Sequence, residues 1–433
     1  MDLNLPLIAF FTVFVLIFLM RMPIPLGLIA AAIVYFVVDG TNPKMIEQQM
    51  MGDLFNNYTL LAVPLFIFAA NIMNSGGVTK RVFGFCQGLV GRFQGGLGHV
   101  NVLASLVFSG MTGSAMADAA GLGKLEIAAM RDEGYDDGFS CAITAGSAIM
   151  GPIFPPSITM VIYSMYSGAS VAALFMAGMV PAILISILLM IYVAFISKKR
   201  NYPRGGKVVL AEFIVFALKS IPALLTPVIL LVGIYTGVMT ATEAGAVAAF
   251  YALLLAVFGY RELGREAFKA LCIDTVKSIG SISIMIGAAG GISYIVAKEH
   301  IARDLANWIV GHNLSAPMFL LLVNLVLLMM GMFVDSSIIN QVFLPILMPV
   351  VMSLGIDLVQ FGVMAVVNIM IGLCTPPFGM LLFIVSGVSD TPLKKVIKEM
   401  WPILIVMLIT LLVITYIPGV TLALPRMLLG YQG

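Results

Sequence analysis

The stretch Ser109-Gly-Met-Thr-Gly-Ser-Ala-Met-Ala-Asp118 opens a segment that the chain contains twice. Shifted forward by 221 positions, residues 110–157 fall without a gap on residues 331–378. Gly110-Met111 lands on Gly331-Met332, Gly134 on Gly355, Asp136 on Asp357, Gly151 on Gly372, and Pro155-Pro156 on Pro376-Pro377. The matches are few, but they are glycines, prolines and an acid, residues that bend or start a backbone. In an apolar chain such a repeat predicts two pseudo-symmetric halves that meet around a site at the bilayer midplane. Many secondary transporters are built this way.

Composition sets the class. Of 433 residues, 61% are hydrophobic and 10% charged, and mean hydropathy is +1.08. No soluble domain hides that much apolar surface, so the sequence predicts an all-α polytopic membrane protein. Leu3–Met20 is apolar but lacks a basic n-region and a small-residue cleavage site, and Ile24–Val38 follows at once. Both read as retained spans rather than a signal peptide. A net charge of +2 gives no reason to invoke nucleic acid. Cys86, Cys141, Cys272 and Cys374 are scattered without metal spacing and read as unpaired and buried. The thirty methionines read as filling between helices.

The expected spans are 5–20, 24–38 and 58–74, then a hairpin at 100–131, a broken helix at 139–166 and a span at 170–196, so the first repeat is 1–205. The second repeat, 210–433, gives 212–235, 240–259 and 278–297, a hairpin at 315–353, a broken helix at 358–385 and a span at 399–417. The loop Lys198-Lys199-Arg200…Arg204…Lys207 carries five basic residues and no acid, which assigns it to the cytoplasm. Counting back puts the N-terminus in the periplasm and Arg21 at a cytoplasmic turn. Counting forward puts Arg261, Arg265, Lys269, Lys394, Lys395 and Lys398 inside. Lys298 and Arg303 fall outside, balanced by Glu299 and Asp304. An odd number of full spans per half makes the repeat an inverted one, with re-entrant hairpins. Lys44–Asn57, Thr79–Phe93, Arg261–Lys277 and Glu299–Val310 look amphipathic, suited to the interface or to bracing the hairpins.

Candidate chemistry sits at the repeat. Ser109–Ser114 holds two glycines and three hydroxyls in six residues, a poor continuous helix but a good re-entrant tip. Freed carbonyls and hydroxyl oxygens there can replace the hydration shell of a small hard cation. In Gly151-Pro-Ile-Phe-Pro-Pro-Ser157 the prolines donate no amide hydrogen, so the helix must break. The counterparts are Gly331-Met-Phe-Val-Asp-Ser-Ser337 and Gly372-Leu-Cys-Thr-Pro-Pro377. For a single Pro-Pro kink, tight helix packing explains the pattern as well. Four such elements paired by the repeat favour two cation sites, one from each tip with its facing broken helix. Sodium suits carbonyls and hydroxyls better than a proton does. Asp335 has three readings: a helix cap, a cation ligand or a proton relay. Asp118 reads as orienting the first tip, Glu243 as starting a span, and Lys124 and Arg131 as snorkelling to the headgroups.

The runs SGMTGSAMADAAGLG (Ser109–Gly123) and GPIFPPSITMVIY (Gly151–Tyr163) resemble the large membrane subunit of tripartite ATP-independent periplasmic (TRAP) transporters. Thr242–Ala244, GMFVDSS (Gly331–Ser337) and TPPFG (Thr375–Gly379) carry the same resemblance, which covers essentially the whole chain. It implies an elevator-type, sodium-coupled importer of the ion transporter superfamily in the bacterial inner membrane. Two hairpins and two broken helices would slide against a scaffold of the other helices. It also implies a small four-helix membrane subunit, a periplasmic binding protein and an organic acid substrate, a C4-dicarboxylate or, on overall likeness, a sialic acid.

Carried over residue by residue, the first sodium site would use Ser109, Gly110, Thr112, Gly113 and Ser114 with Gly151, Pro152 and Pro155. The second would use Gly331, Phe333, Val334, Asp335 and Ser336 with Gly372, Leu373, Thr375 and Pro376, partly through main-chain carbonyls. The substrate should sit between the tips near Ser114, Ser157, Ser336 and Ser337. No arginine lies there, so hydroxyls and helix N-termini would receive its carboxylate. Two sodium ions with a singly charged acid carry one net positive charge, worth about 2.3 kcal/mol per 100 mV. No nucleotide is needed, and no G-x-x-x-x-G-K-[ST] loop occurs. The rivals are a stand-alone sodium/organic-anion symporter and a polytopic membrane enzyme. Against the enzyme, there is no H-E-x-x-H pair and no G-x-S-x-G elbow.

Overall fold

A computed structural model describes residues 4–20, 22–42, 44–75, 77–205, 210–312 and 314–433. Arg21 and Lys207, two of the basic residues used for sidedness, and Leu3 lie outside the described residues. The first half runs α1 (Leu5–Leu19), α2 (Ile24–Val38), α3 (Lys44–Phe55), α4 (Ala62–Ser75) and α5 (Val78–Val90). It continues with α6 (Gly96–Thr112), α7 (Ala115–Ala120), α8 (Leu122–Asp132), α9 (Asp137–Ala148), α10 (Ile158–Ser167) and α11 (Val171–Arg200). The second half runs α12 (Leu210–Tyr235), α13 (Ala241–Leu254), α14 (Arg265–Lys298) and α15 (Ile301–Gly311). Next come α16 (Ala316–Phe333), α17 (Ser336–Ile338), α18 (Leu344–Ser353), α19 (Leu358–Gly372), α20 (Met380–Ser389), α21 (Leu393–Tyr416) and α22 (Pro418–Leu429).

The described residues form no strand, and seven of their helices are long and apolar enough to cross a membrane. The helix–tip–helix units α6–α8 and α16–α18 are the expected hairpins, and α9–α10 and α19–α20 are the expected broken helices. The two halves dock reciprocally: α4 packs on α13 and α2 on α14, while α9 packs on α21 and α19 on α11. Within each half a buried asparagine staples the hairpin to its broken helix. Asn101 donates to Thr144 (2.7 Å) and accepts from Ser147 (2.8 Å). In the second half Asn368, the repeat counterpart of Ser147, donates to the Asn324 side chain (2.6 Å) and carbonyl (2.9 Å).

Three expectations are corrected. Arg261–Lys277 is not a separate amphipathic helix ahead of a span at 278–297. Residues 265–298 form one helix of 34 residues, because Lys277-Ser278-Ile279-Gly280 contains no proline to remove a backbone donor. The last expected span starts earlier, at Leu393, so Lys394, Lys395 and Lys398 ride on its first turns. After it comes α22, which packs on α11 and was not anticipated. The other arms behave as braces: α5 packs on α6, and α15 on α18. Helix α3 lies across α14, where Gly287 admits Met50 and Leu54.

Charge pairing follows the assigned sides. Arg81–Glu262 (2.7 Å), Arg131–Asp137 (2.6 Å), Arg200–Asp136 (2.8 Å) and Arg200–Glu399 (2.7 Å) all join segments that the expected span order places on the cytoplasmic side. Lys298–Asp39 joins two segments that the same order places on the other side. Arg131 therefore pairs within the protein rather than snorkelling, and it also donates to Thr391 (2.6 Å). All four cysteines are free, and three are buried; Cys272 is only partly so.

Arg200 is the hub of its network, bonding to Asp136 and Glu399, while Tyr202 also donates to Asp136 (2.7 Å). Hydrogen bonds from Tyr202 and then Arg200 hold the Asp136 carboxyl below its ordinary range. A lowered folded-state pKa stabilises above the unfolded value near 3.9, and that contribution fades as pH falls through the folded value. Arg200→Met is expected to cost about 1–2 kcal/mol at neutral pH, seen as a lower Tm in detergent. Its Tm should also fall less steeply below about pH 4 than that of the wild type.

Candidate functional site between the hairpin tips

The first tip forms where α6 stops. Gly113 adopts φ +62°, a left-handed conformation that caps α6 at little cost to glycine. Ser114 then N-caps α7 by accepting from the Ala117 amide (3.4 Å). The Thr112 hydroxyl donates to Asp118, which is buried and whose second carboxylate oxygen has no partner. This contact ties the tip to its returning helix, the orienting role expected for Asp118. The Ser109 hydroxyl donates back to the Ser105 carbonyl (2.6 Å).

Opposite this tip, α9 ends and the prolines interrupt the ladder. The Met150 carbonyl accepts from the Ile153 (3.0 Å) and Phe154 (2.7 Å) amides, and the Pro155–Pro156 bond is cis. Ser157 donates to the Pro152 carbonyl and accepts from the Met160 amide (3.2 Å), capping α10. Tip and break are in backbone contact. A Cβ added at Gly113 would stand 2.6 Å from the Pro156 carbonyl oxygen, and one at Gly151 3.1 Å from the Ser114 carbonyl carbon. Gly110 instead faces Pro227 on α12 and the Phe154 ring.

The second tip repeats the plan with different partners. Helix α16 ends at Phe333, Val334 is extended, and Asp335 accepts from the Ser337 amide (2.8 Å). Capping is thus what the Asp335 side chain does here. Opposite it, the Gly372 carbonyl accepts from the Thr375 amide (2.9 Å), the Leu373 carbonyl from the Leu381 amide (3.0 Å), and Pro376–Pro377 is cis. The Thr375 hydroxyl donates to the Ile371 carbonyl (2.7 Å). Gly331 and Gly372 touch backbone to backbone: a Cβ on Gly372 would lie 2.6 Å from the Gly331 Cα. The Phe333 ring rests on Phe378, centroids 5.0 Å apart.

Both tips reach one cavity of about 540 Å³, where Thr112 and Ser114 of the first face Asp335 and Ser337 of the second. A smaller space of about 150 Å³ continues between them, reaching Gly113, Pro152, Ser336 and Leu373. Of the hydroxyls expected near a substrate, Ser114, Ser336 and Ser337 line these spaces. Ser157 does not; it is buried and committed to its cap. The opposite wall was missed from sequence. Asn71 and Asn74 of α4 and Lys277, Ser278 and Ser281 of α14 line it. The polar pair at i, i+3 in the otherwise apolar α4 was the available signal. Glu243 closes a capping box with Thr240, accepting from its amide (2.8 Å), as its position implied.

The tips present carbonyl and hydroxyl oxygens rather than the thiols and imidazoles that transition metals favour. Among the described residues no cluster of three or more His, Cys, Asp or Glu competes for a transition metal. Because the Gly331–Gly372 contact leaves no room for a methyl group, Gly372→Ala is expected to push the second tip off its broken helix. Transport should fall at least about tenfold in a proteoliposome uptake assay. Gly387→Ala, in the same broken helix with open space around it, should leave uptake intact.

The family model for the tripartite ATP-independent periplasmic transporter DctM component matches residues 10–420. The chain is 42% identical over 411 residues to the sialic acid TRAP transporter large permease protein SiaM of Vibrio cholerae serotype O1, covering 95% of this chain and 96% of that one. It is 38% identical to the C4-dicarboxylate TRAP transporter large permease protein DctM of Pseudomonas aeruginosa, covering 86% and 87%. Its fold is similar to that of the YdaH transporter of Alcanivorax borkumensis, with a TM-score of 0.64 at 14% identity over 87% and 88% of the two chains. With a match that spans both hairpins and both broken helices, this multi-pass membrane chain belongs to the DctM family of TRAP transporter large permeases, and it is a transporter subunit rather than an enzyme.

Proposed function

We propose that this chain is the large permease of a sodium-coupled importer that carries an organic acid of the sialic acid or C4-dicarboxylate type across the bacterial inner membrane. The observation that carries the proposal is the pair of tips, each seated on its own broken helix and both facing one polar cavity. Each seat gathers helix-end carbonyls and hydroxyls of the kind that hold sodium. The first offers oxygens from Ser109–Ser114 and Gly151–Pro155, the second from Gly331–Ser336 and Gly372–Pro376.

Transport then follows from a change in solvation. An ion at a seat replaces water around carbonyls that otherwise face hydrocarbon, so it draws tip and break together and completes the cavity between them. Tips and broken helices would move as one body past α2, α4, α13 and α14, an elevator step driven by the inward sodium gradient. A periplasmic binding protein would deliver the acid, as the names of the relatives imply for their own systems, and a small four-helix subunit would support the scaffold.

Uptake into proteoliposomes holding this chain with its small partner should require both sodium and the binding protein. Ser114→Ala and Asp335→Ala should each reduce uptake at least tenfold and weaken sodium dependence. Uptake driven by a proton gradient alone would overturn the sodium sites, and sodium-driven uptake without the binding protein would make the chain a stand-alone symporter.

A further inference from the structure

Each hairpin holds on to both halves of the chain. Its outgoing limb packs on the near segment of its own broken helix, α6 on α9 and α16 on α19. Its return limb reaches the far segment of the other one: α7 and α8 pack on α20, and α18 with the π-helical turn Ile339–Phe343 packs on α10. Turns of that kind inside a helix occur mostly at functional sites. This one carries Asn340, which is fully buried and lies five residues after Asp335 of the second tip. Its side-chain amide donates to the Thr159 carbonyl in the first turn of α10 (2.7 Å), and its side-chain oxygen has no partner among the described residues. A buried amide left half satisfied is a costly way to fill space, so the bond it does make calls for a reason.

From Thr159 the connection runs straight to the first seat. Thr159 follows Ser157, the residue that caps α10, and the Ser157 hydroxyl donates to the Pro152 carbonyl inside the first break. Two side-chain bonds therefore link an oxygen of the first seat to the helix that carries the second tip. A return tie runs the other way: the buried Cys374 thiol of the second break donates to the Ala145 carbonyl of α9 (3.3 Å), ahead of the first break.

We infer that Asn340 couples the two seats, so that a cation held at one raises the affinity of the other. This rests on the importer reading above, which supplies the two sodium sites. The bistable element is a tip, either seated on its break or standing off it. A cation at the first seat fixes Gly151–Pro155, and through Ser157 it fixes the start of α10. Asn340 then holds the second hairpin against an ordered partner, and less ordering is left for the second cation to impose. Linkage makes the effect reciprocal. Asn340 acts through α10 and is a positioning residue.

The test is equilibrium binding of radiolabelled sodium to the permease and its small partner in nanodiscs, in wild type, Asn340→Leu, Ser157→Ala and Gln360→Leu. Binding is measured rather than uptake, because a carrier that needs two ions has a sigmoidal rate even when its sites are independent. A tenfold coupling between two like sites gives a Hill coefficient of about 1.5; its loss brings the value to about 1 and raises half-saturating sodium about threefold. That change is expected in Asn340→Leu. Ser157→Ala, which removes a single hydroxyl, should show it too and carries the test should Asn340→Leu not assemble. Gln360→Leu cuts a buried amide-to-carbonyl bond of the same kind, Gln360 to Thr415 (3.0 Å), at the far end of α19 from its break. It should lower Tm as Asn340→Leu does and leave the binding curve unchanged. The inference is overturned by a wild-type Hill coefficient near 1, by one that either coupling variant leaves unchanged, or by one that Gln360→Leu lowers equally. A wild type that binds no sodium overturns the importer reading itself.

Discussion

Everything in this fold depends on one constraint: a backbone amide or carbonyl facing hydrocarbon must find a partner inside the protein. An unbroken helix meets it alone. The segments at 149–157 and 373–379 do not, because paired prolines remove donors and release carbonyls in mid-span. They are tolerable only where something polar covers them. Local turns take up part of the debt, with Met150 and Leu373 carbonyls accepting from amides across the break and Ser157 bonding to Pro152. The hairpin tips cover what is left. A tip is itself a set of helix ends with unsatisfied groups, so tip and break complete one another.

Close backbone contact is what makes this completion possible, and it explains the glycines. Gly113 lies over the Pro156 carbonyl, Gly151 against Ser114, and Gly331 against Gly372. Any side chain at these points would hold the two backbones apart. The halves are nonetheless not copies in detail. Gly110 looks toward α12 while its counterpart Gly331 meets Gly372, so the two tips seat differently on their breaks. Sequence symmetry fixes the plan of both seats and leaves their packing free to differ.

This explains which parts of the architecture could be read from the chain. Helix breaks are legible because glycine and proline act on the backbone of their own segment, and a repeat of them signals itself. Both hairpins, both broken helices and the capping role of Glu243 were readable on that basis. The sidedness argument used charge alone, and the pairing of Arg81 with Glu262 and of Arg200 with Asp136 and Glu399 agrees with its grouping of segments. What escaped depends on tertiary placement. Ser157 resembles a substrate hydroxyl until its cap is seen. The unbroken course of α14 has no local signature beyond a missing proline, and without it Lys277 reads as an interfacial residue instead of a cavity wall.

The separation of roles between wall and tips has an energetic logic. A carrier that binds too tightly on one side cannot release on the other, so its charges should be few and not all travel together. Among the residues lining the cavity, the one acid sits on a tip and the one base on α14. Neutral carbonyls and hydroxyls hold a cation only when several converge, so the cation affinity proposed for the two seats would depend on how closely tip and break approach. On the sodium-coupled reading proposed above, the approach of each tip to its break would govern ion and substrate affinity together and so would link the two binding events.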